Sequence, residues 1–425
     1  MKYQLNRIKI NYEPFLKAYL VVYPKKDNAI RILPKNSIEV LKLIDKGLDL
    51  DDIITKISTQ YNLNKKQIKK DLLIFLNKLL AIDALKVRTQ DAKPVLSKIS
   101  KGEKLNHLFR PLKVHIAITN KCNLKCKHCY NLGCGGELSK DKWFKVIDYL
   151  SDWGVLKLQI SGGEPLCHPN FKEIISYASK KNFSLMLFTN GTLIQDSSMA
   201  QFIKDNFSTV QINLDGPREY HDVFRGVAGS FNKTNRGIDL LLKEGVNLIL
   251  GMSIDGNNKD MMEEVYSFAL KKGIKNVRFS PIALEGRGVS YQFSIENYKE
   301  IWKHINKFIK SKEKDKNIKI LQPRKNKLNL PRSYNLCSAG KTLLHISANG
   351  DIFACPLLTF KELKVGNFFK KDLKKIWDNA PHFKQLRNIK FSKCEKCSKD
   401  CAYWCRGINY GLTKKLNTFP EFCLE

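Results

Sequence analysis

No stretch of the chain reaches the length and apolarity of a membrane span. The N-terminus, Met1-Lys2-Tyr3-Gln4, lacks the basic-then-apolar layout of a secretory signal. Both absences lead to the expectation of a cytoplasmic protein with no membrane partner. Acidic residues are scarce: 41 Asp and Glu stand against 74 Lys and Arg, a formal charge of +33. Such a field would draw nucleic acid, an anionic membrane or an acidic peptide. The lysines are spread along the whole chain, as solvated faces would be. Neither a paired zinc finger nor an aromatic RNA-binding signature accompanies them, so nucleic acid is not the expected partner. The first 90 residues also hold no cysteine.

Cysteine is abundant further on. All 12 cysteines fall in two groups, five between positions 122 and 167 and seven between 337 and 423. In a chain without an export signal, clustered thiols stay reduced and point to metal or catalysis, not disulfides. Two groups suggest two metal-bearing regions. The length, 425 residues, suits two or three domains, and the 43% apolar fraction supplies a sizeable core.

Residues 1–90 open with strand-like runs, Ala18 to Tyr23 and Ala29 to Leu33, around the turn-prone Lys25-Lys26-Asp27-Asn28. Helical spacing follows in Ile38, Leu41 and Ile44, then Ile53, Ile54 and Ile57, then Ile68, Leu72, Phe75, Leu76, Leu79 and Leu80. Strands followed by three helices predict a small winged-helix-like domain. Residues 91–110 form a linker. Over 111–325, apolar runs near 114–118, 155–160, 184–189, 208–214, 247–253 and 277–282 alternate with amphipathic helices. Six such βα units predict an α/β fold with a parallel sheet, whose closure periodicity does not reveal. Residues 326–425 are loop-rich and too small in core to hold together without metal.

The loop after the first strand of this array reads Thr119-Asn120-Lys121-Cys122-Asn123-Leu124-Lys125-Cys126-Lys127-His128-Cys129-Tyr130. Three thiolates at C-x3-C-x2-C can hold three irons of a [4Fe–4S] cube and leave the fourth open. Zinc would need a fourth ligand, and His128 makes that set cramped. The loop resembles the signature of radical S-adenosylmethionine (SAM) enzymes, with His128 at the position before the last cysteine. The resemblance implies a partial (βα)6 barrel in which Cys122, Cys126 and Cys129 carry the SAM-cleaving cluster. Ile160-Ser161-Gly162-Gly163-Glu164-Pro165 resembles that family's GGE motif, which would make Gly162, Gly163 and Glu164 hold the SAM ammonium. Asn213 resembles the ribose contact, Arg225 the partner of the SAM carboxylate, and Ile282 a backbone contact to adenine.

The second group runs Cys337, Gly350, Cys355, Cys394, Cys397, Cys401, Cys405 and Cys423. It resembles the SPASM domain, which carries two auxiliary [4Fe–4S] clusters, although the central block is spaced differently from the usual pattern. The resemblance implies Cys337, Cys355 and Cys405 on the first cluster and Cys394, Cys397, Cys401 and Cys423 on the second. Seven ligands leave one of eight places unfilled. Either an iron is open, able to take a substrate thiolate, or Cys134 or Cys167 reaches across.

SPASM enzymes mostly modify peptides. Pro356 follows Cys355 where sulfatase-maturating relatives place a basic Asp, which counts against formylglycine formation. The N-terminal domain is similar to those that recognise the leader of a precursor peptide by adding it to a sheet edge. The resemblance thus implies a maturase of ribosomally made peptides forming thioether cross-links, with a precursor peptide and a flavodoxin- or ferredoxin-type electron donor as partners. Other radical peptide chemistry (carbon–carbon cross-linking, epimerisation) and a redox-sensing DNA-binding protein are the alternatives.

Overall fold

The computed structural model describes residues 2–6, 8–13, 16–23, 29–82, 84–87, 107–131, 135–321, 337–389 and 405–418. Cys134, Cys394, Cys397, Cys401 and Cys423, and with them the expected second auxiliary cluster, lie outside the described residues, as does the linker up to residue 106.

The N-terminal part consists of β1 (Tyr3–Leu5), β2 (Lys9–Glu13), β3 (Ala18–Val22), β4 (Arg31–Leu33), α1 (Lys35–Asp45), α2 (Leu50–Tyr61), α3 (Lys65–Leu80) and β5 (Leu85–Val87). The three expected helices form where their apolar spacing places them. Asp49 and Asn64 start α2 and α3 by accepting backbone N–H bonds at the helix entrance. Strands β2, β3 and β4 make an antiparallel sheet, and β1 pairs with β5. Strands β1, β2 and β5 leave no signal in the sequence, because β1 and β5 have three residues each and β2, Lys-Ile-Asn-Tyr-Glu, is mostly polar.

The central strand of the antiparallel sheet, β3, is covered on both faces. Val21 of β3 joins a core with Ile38, Leu41, Ile53, Leu72 and Leu76. Its neighbours Leu20 and Val22 point the other way, into the larger core. Strand β2 is tied to that larger body by Lys9 Nζ on Ser151 Oγ at 3.0 Å and Asn11 Nδ2 on the Gly154 carbonyl at 2.7 Å. The Phe109 amide donates to Glu13 Oε1 at 2.9 Å.

The larger body alternates β6 (Lys113–Ala117), α4 (Lys140–Trp153), β7 (Lys157–Ser161), α5 (Phe171–Lys180), β8 (Ser184–Thr189), α6 (Ser197–Asn206) and β9 (Thr209–Asn213). It continues with α7 (Arg218–Arg225), α8 (Ser230–Lys243), β10 (Leu248–Ile254), α9 (Met262–Lys271), β11 (Asn276–Pro281) and α10 (Ile295–Ser311). Strands β6 to β11 lie parallel and in sequence order. Right-handed crossovers in a constant direction put every helix on one face, so the sheet must curl to cover the other. It does: the Arg287 amide, after β11, bonds the Cys129 carbonyl, after β6, at 2.8 Å.

The sheet does not end with the array. Strand β12 (Lys319–Ile320) extends it beyond β11. On the other side β13 (Leu343–Ile346) runs parallel beside β6, followed by β14 (Asp351–Phe353) and β15 (Gly366–Asn367). The loop-rich C-terminal part thus shares a ten-stranded sheet with the array. It also contributes α11 (Leu373–Asn379), α12 (Pro381–Asn388) and α13 (Arg406–Thr413).

Candidate active site

Side chains alternate along each strand of the array. Val114 and Ile116, Leu158 and Ile160, Val210 and Ile212 face the helices and are buried. Many of the inner positions are polar. Arg278 Nη1 donates to Gln211 Oε1 at 3.0 Å, Gln211 Nε2 to Asn213 Oδ1 at 3.1 Å, and Asn213 Nδ2 to Ser253 Oγ at 3.1 Å. An interior of this kind is not an apolar packed core but a lined chamber. Gly251 sits beside Asn213 because a Cβ there would stand 2.3 Å from Asn213 Oδ1.

The cysteine loop opens at the carboxyl end of β6, where parallel sheets place their ligand loops. Two backbones clamp it. From β7, the Gly163 and Glu164 amides donate to the Thr119 and Lys121 carbonyls, both at 2.8 Å. A Cβ on Gly163 would lie 2.4 Å from the Lys121 carbonyl oxygen, so only glycine permits this approach. From the end of α7, the Arg225 and Phe224 carbonyls accept the Lys125 and Lys127 amides, both at 3.0 Å.

The three thiols are supported separately. The Leu124 amide donates to Cys122 Sγ at 3.4 Å, and Arg225 Nη1 to Cys126 Sγ at 3.7 Å. Cys129 Sγ bonds the Asn131 carbonyl at 3.2 Å. Among the described residues no three metal-ligating side chains converge tightly enough to enclose one ion. Three soft donors on one glycine-backed loop, with a cation and amides on the sulfurs, fit an iron–sulfur cluster.

The candidate SAM residues surround this loop. Glu164 is buried; its Oε1 accepts from Thr189 Oγ1 at 2.7 Å and the Leu166 amide at 3.1 Å, and its Oε2 from the Asn190 amide at 2.7 Å. A carboxylate has about four acceptor sites, so room for one more donor remains, as an ammonium would need. Burial pushes this carboxyl up to about 7 against the pull of those donors. Arg225 Nε donates to Asp215 Oδ2 at 2.7 Å, and Asp215 Oδ1 accepts the Ser253 amide at 2.9 Å. Burial opposes the guanidinium charge, but Asp215 and Cys126 hold it. His128 stacks on Phe224 with centroids 4.1 Å apart. Burial, then Arg225 and Arg287, keep its ring neutral. The backbone of Ile282 is already engaged: its amide bonds the Ile254 carbonyl at 2.9 Å and its carbonyl accepts the Tyr298 hydroxyl.

In the C-terminal part, Cys337, Cys355 and Cys405 are brought within electrostatic reach of one another. Cys355 follows β14, and Cys405 sits at the start of α13. Gly407 lets α13 lie against the Leu357 carbonyl, 2.3 Å from where a Cβ would be. Burial raises Cys355, and pushes Cys405 up to about 11, so metal binding must displace these protons. Cys167 is not with them. Its neighbours are Glu164, Asn123 and Lys121, which places it behind the first cysteine loop.

A cavity of about 380 Å³ joins the two regions. Gly162 and Tyr130 line one side, Phe353, Thr359 and Phe360 the other. Its floor holds His115 and His345, paired across β6 and β13 with their Nδ1 atoms 3.0 Å apart and Ser161 Oγ 2.9 Å from His115 Nε2. Glu285 lines its wall. His115, His345 and Glu285 are not legible as site residues in the sequence. The available signal was a polar residue at many inner strand positions, such as His115, Gln159, Gln211 and Arg278, but nothing in sequence joins His115 to His345.

The family models of two domains match: the radical SAM superfamily over residues 116–269, and an iron–sulfur cluster-binding domain, SPASM, over 337–402. The chain belongs to the radical SAM superfamily, within the group that carries a SPASM domain, and is an enzyme of SAM and iron–sulfur clusters. It is 32% identical over 319 residues to the antilisterial bacteriocin subtilosin biosynthesis protein AlbA of Bacillus subtilis (strain 168), covering 71% of this chain and 68% of that one. It is 26% identical over 333 residues to the AdoMet-dependent heme synthase of Methanosarcina barkeri, covering 72% of this chain and 94% of the other. In fold it is similar to Streptococcus suis SuiB bound to precursor peptide SuiA, with a TM-score of 0.68 over 100% of both chains at 18% identity.

Proposed function

We propose that this enzyme modifies a ribosomally made precursor peptide, joining a cysteine sulfur to a carbon of the same peptide. The observation that carries the reading is the cavity shared by the Gly162 side and the Cys355-bearing segment. A peptide side chain lodged there would lie between the segments that carry the two cysteine sets, beside Asn120 and Tyr130 of one and Phe353 and Thr359 of the other. SAM on its reduced cluster, when bound, supplies a 5′-deoxyadenosyl radical that removes a hydrogen atom from carbon. Cys122, Cys126 and Cys129 would hold that cluster, with His128, Gly162, Gly163, Glu164, Asn213, Arg225 and Ile282 around SAM. Cys337, Cys355 and Cys405 would hold the first auxiliary cluster, and a flavodoxin- or ferredoxin-type protein would donate the electron. The relationship to AlbA, named for subtilosin biosynthesis, supports the peptide substrate.

The N-terminal domain would deliver the peptide. Strand β2 is pinned to the barrel, whereas Ile32 on the other edge strand, β4, is 37% exposed. A leader adding beside β4 gains backbone hydrogen bonds there.

Pro356 stands where sulfatase-maturating relatives place a carboxylate, but Glu285 brings one to the same cavity from another element. The thioether reading therefore rests on the cysteine count, not on a missing base.

The test is anaerobic co-expression with short cysteine-containing peptides encoded beside the gene, followed by mass analysis. A loss of two hydrogens per bond, with the cysteine closed to alkylation, is expected. Cross-linked peptide whose cysteine still alkylates would favour a carbon–carbon bond. An unchanged mass with an altered stereocentre would mean epimerisation. A tetrapyrrole substrate, which the heme synthase relationship raises, would leave every peptide untouched.

A further inference from the structure

Glu285 is placed between two elements and only half used. It follows β11, and its Oε1 accepts both the amide of Thr359, at 3.0 Å, and the Thr359 hydroxyl. Thr359 lies on the segment after Cys355. The carboxyl thus has its position fixed through one oxygen. Its other oxygen, Oε2, is buried and has no hydrogen-bond partner among the described residues. Glu285 is 6% exposed and lines the cavity that also holds Gly162 and Phe353. An unpartnered buried carboxylate oxygen is costly unless a ligand donor completes it.

The other ionisable groups of this cavity are less suited to take a proton: Tyr130 is a phenol that burial raises further above its ordinary value. Asp351 is paired with Lys364 at 2.7 Å and accepts from Asn367 Nδ2 at 2.9 Å. His115 and His345 are turned toward each other, and burial holds both below the usual histidine range. Burial raises Glu285 to about 7, and Thr359 and Lys414 pull against it while Glu362 adds to it. A carboxylate so placed can exchange a proton near neutral pH.

We propose that Glu285 Oε2 is the base that receives the proton of the peptide's nucleophile, a cysteine S–H, as the cross-link closes. The assignment rests on the peptide cross-linking reading above. The balance is complete. The carbon loses a hydrogen atom to the deoxyadenosyl radical, which leaves as 5′-deoxyadenosine. The thiol loses its proton to Glu285, and the C–S bond forms. One electron remains and passes to an iron–sulfur oxidant, the class of centre the SPASM domain supplies.

The experiment compares wild type and Glu285→Gln on the peptide that wild type cross-links, measuring the ratio of cross-linked peptide to 5′-deoxyadenosine formed. Glutamine keeps an oxygen for Thr359 and so preserves the tie between the two segments. The ratio is expected to fall about 100-fold, with Glu285→Asp between the two. An unchanged ratio in Glu285→Gln overturns the assignment and leaves a structural tie. If Glu285→Gln loses iron or fails to fold, Glu285→Ala with added formate replaces it. Restored coupling by formate supports the base, and its absence in a folded, iron-loaded protein overturns it. A wild type that cross-links no peptide overturns the peptide reading itself, a distinct result.

Discussion

At the scale of single residues, the charges around the cysteine loop are the most tightly fixed feature. Asp215 is fully buried and faces Arg225, which in turn points at Cys126. Such a pair is weak evidence of net stabilisation, but removing one partner strands a buried charge. Asp215→Ala is expected to destabilise the protein by about 3–5 kcal/mol, read by denaturant unfolding. Arg225 was legible in the sequence only through family resemblance. Its partner was not, because Asp215 and Arg225 meet only after α7 turns the chain back over the loop.

At the scale of elements, the end of α7 matters more than its sequence suggests. Gly226 caps the helix in the left-handed region at φ 68°, and a Cβ there would stand 2.5 Å from the Lys125 carbonyl. Gly226→Ala is expected to cost about 1–2 kcal/mol from backbone strain alone. It should also displace the Cys122–Cys129 loop and lower the iron bound after reconstitution. Iron content and a melting curve on the same sample check both effects. Strand β4 carries a second expectation. Ile32→Asp puts a charge on the edge proposed for the leader. It should weaken binding of the full precursor about tenfold while leaving binding of a leaderless core peptide unchanged, as measured by titration.

The elements also show what a linear pattern can reveal. Strands β6 to β11 fall within a residue or two of their apolar runs, because each buries a helix-facing row of Val, Ile and Leu. Strands β12 and β15 have two residues each and leave no pattern. Strand β13 reads as apolar in Leu343-Leu344-His345-Ile346, yet its place beside β6 is set by a contact spanning more than two hundred residues.

At the scale of the whole molecule, the N-terminal part is held to the barrel by Leu20 and Val22 in the shared core and by half-buried polar contacts beside them. Lys9, over the Phe183 ring at 4.1 Å, is the clearest. Burial pushes its ammonium down to about 7, with Lys181 and Arg110 adding and Asp152 opposing. The unfolded chain keeps that proton up to the ordinary value of 10.5, so between the two values it binds more protons than the folded one. Stability therefore rises with pH from about 7 toward 10, by less than about 1.4 kcal/mol per unit. Lys9→Met should flatten this slope, measured by denaturant unfolding at pH 7 and pH 9.

The sequence by itself determined the chemistry that is available and the succession of elements that carries it. Thiol spacing is local, and so is the period of an apolar face; both survive in a linear string. Those patterns identified the Cys122 loop, the six βα units and the three N-terminal helices, whereas the GGE turn was legible only through family resemblance. Only the tertiary structure decided where that chemistry is used. The curl of the sheet brings the end of β11 to the end of β6, and β13 completes the chamber from the far end of the chain. His115 meets His345 there, and Glu285 meets Thr359, through contacts between segments distant in sequence. The cysteine loop is thus one wall of a cavity whose opposite wall, and whose unpartnered carboxylate, only the folded chain could supply.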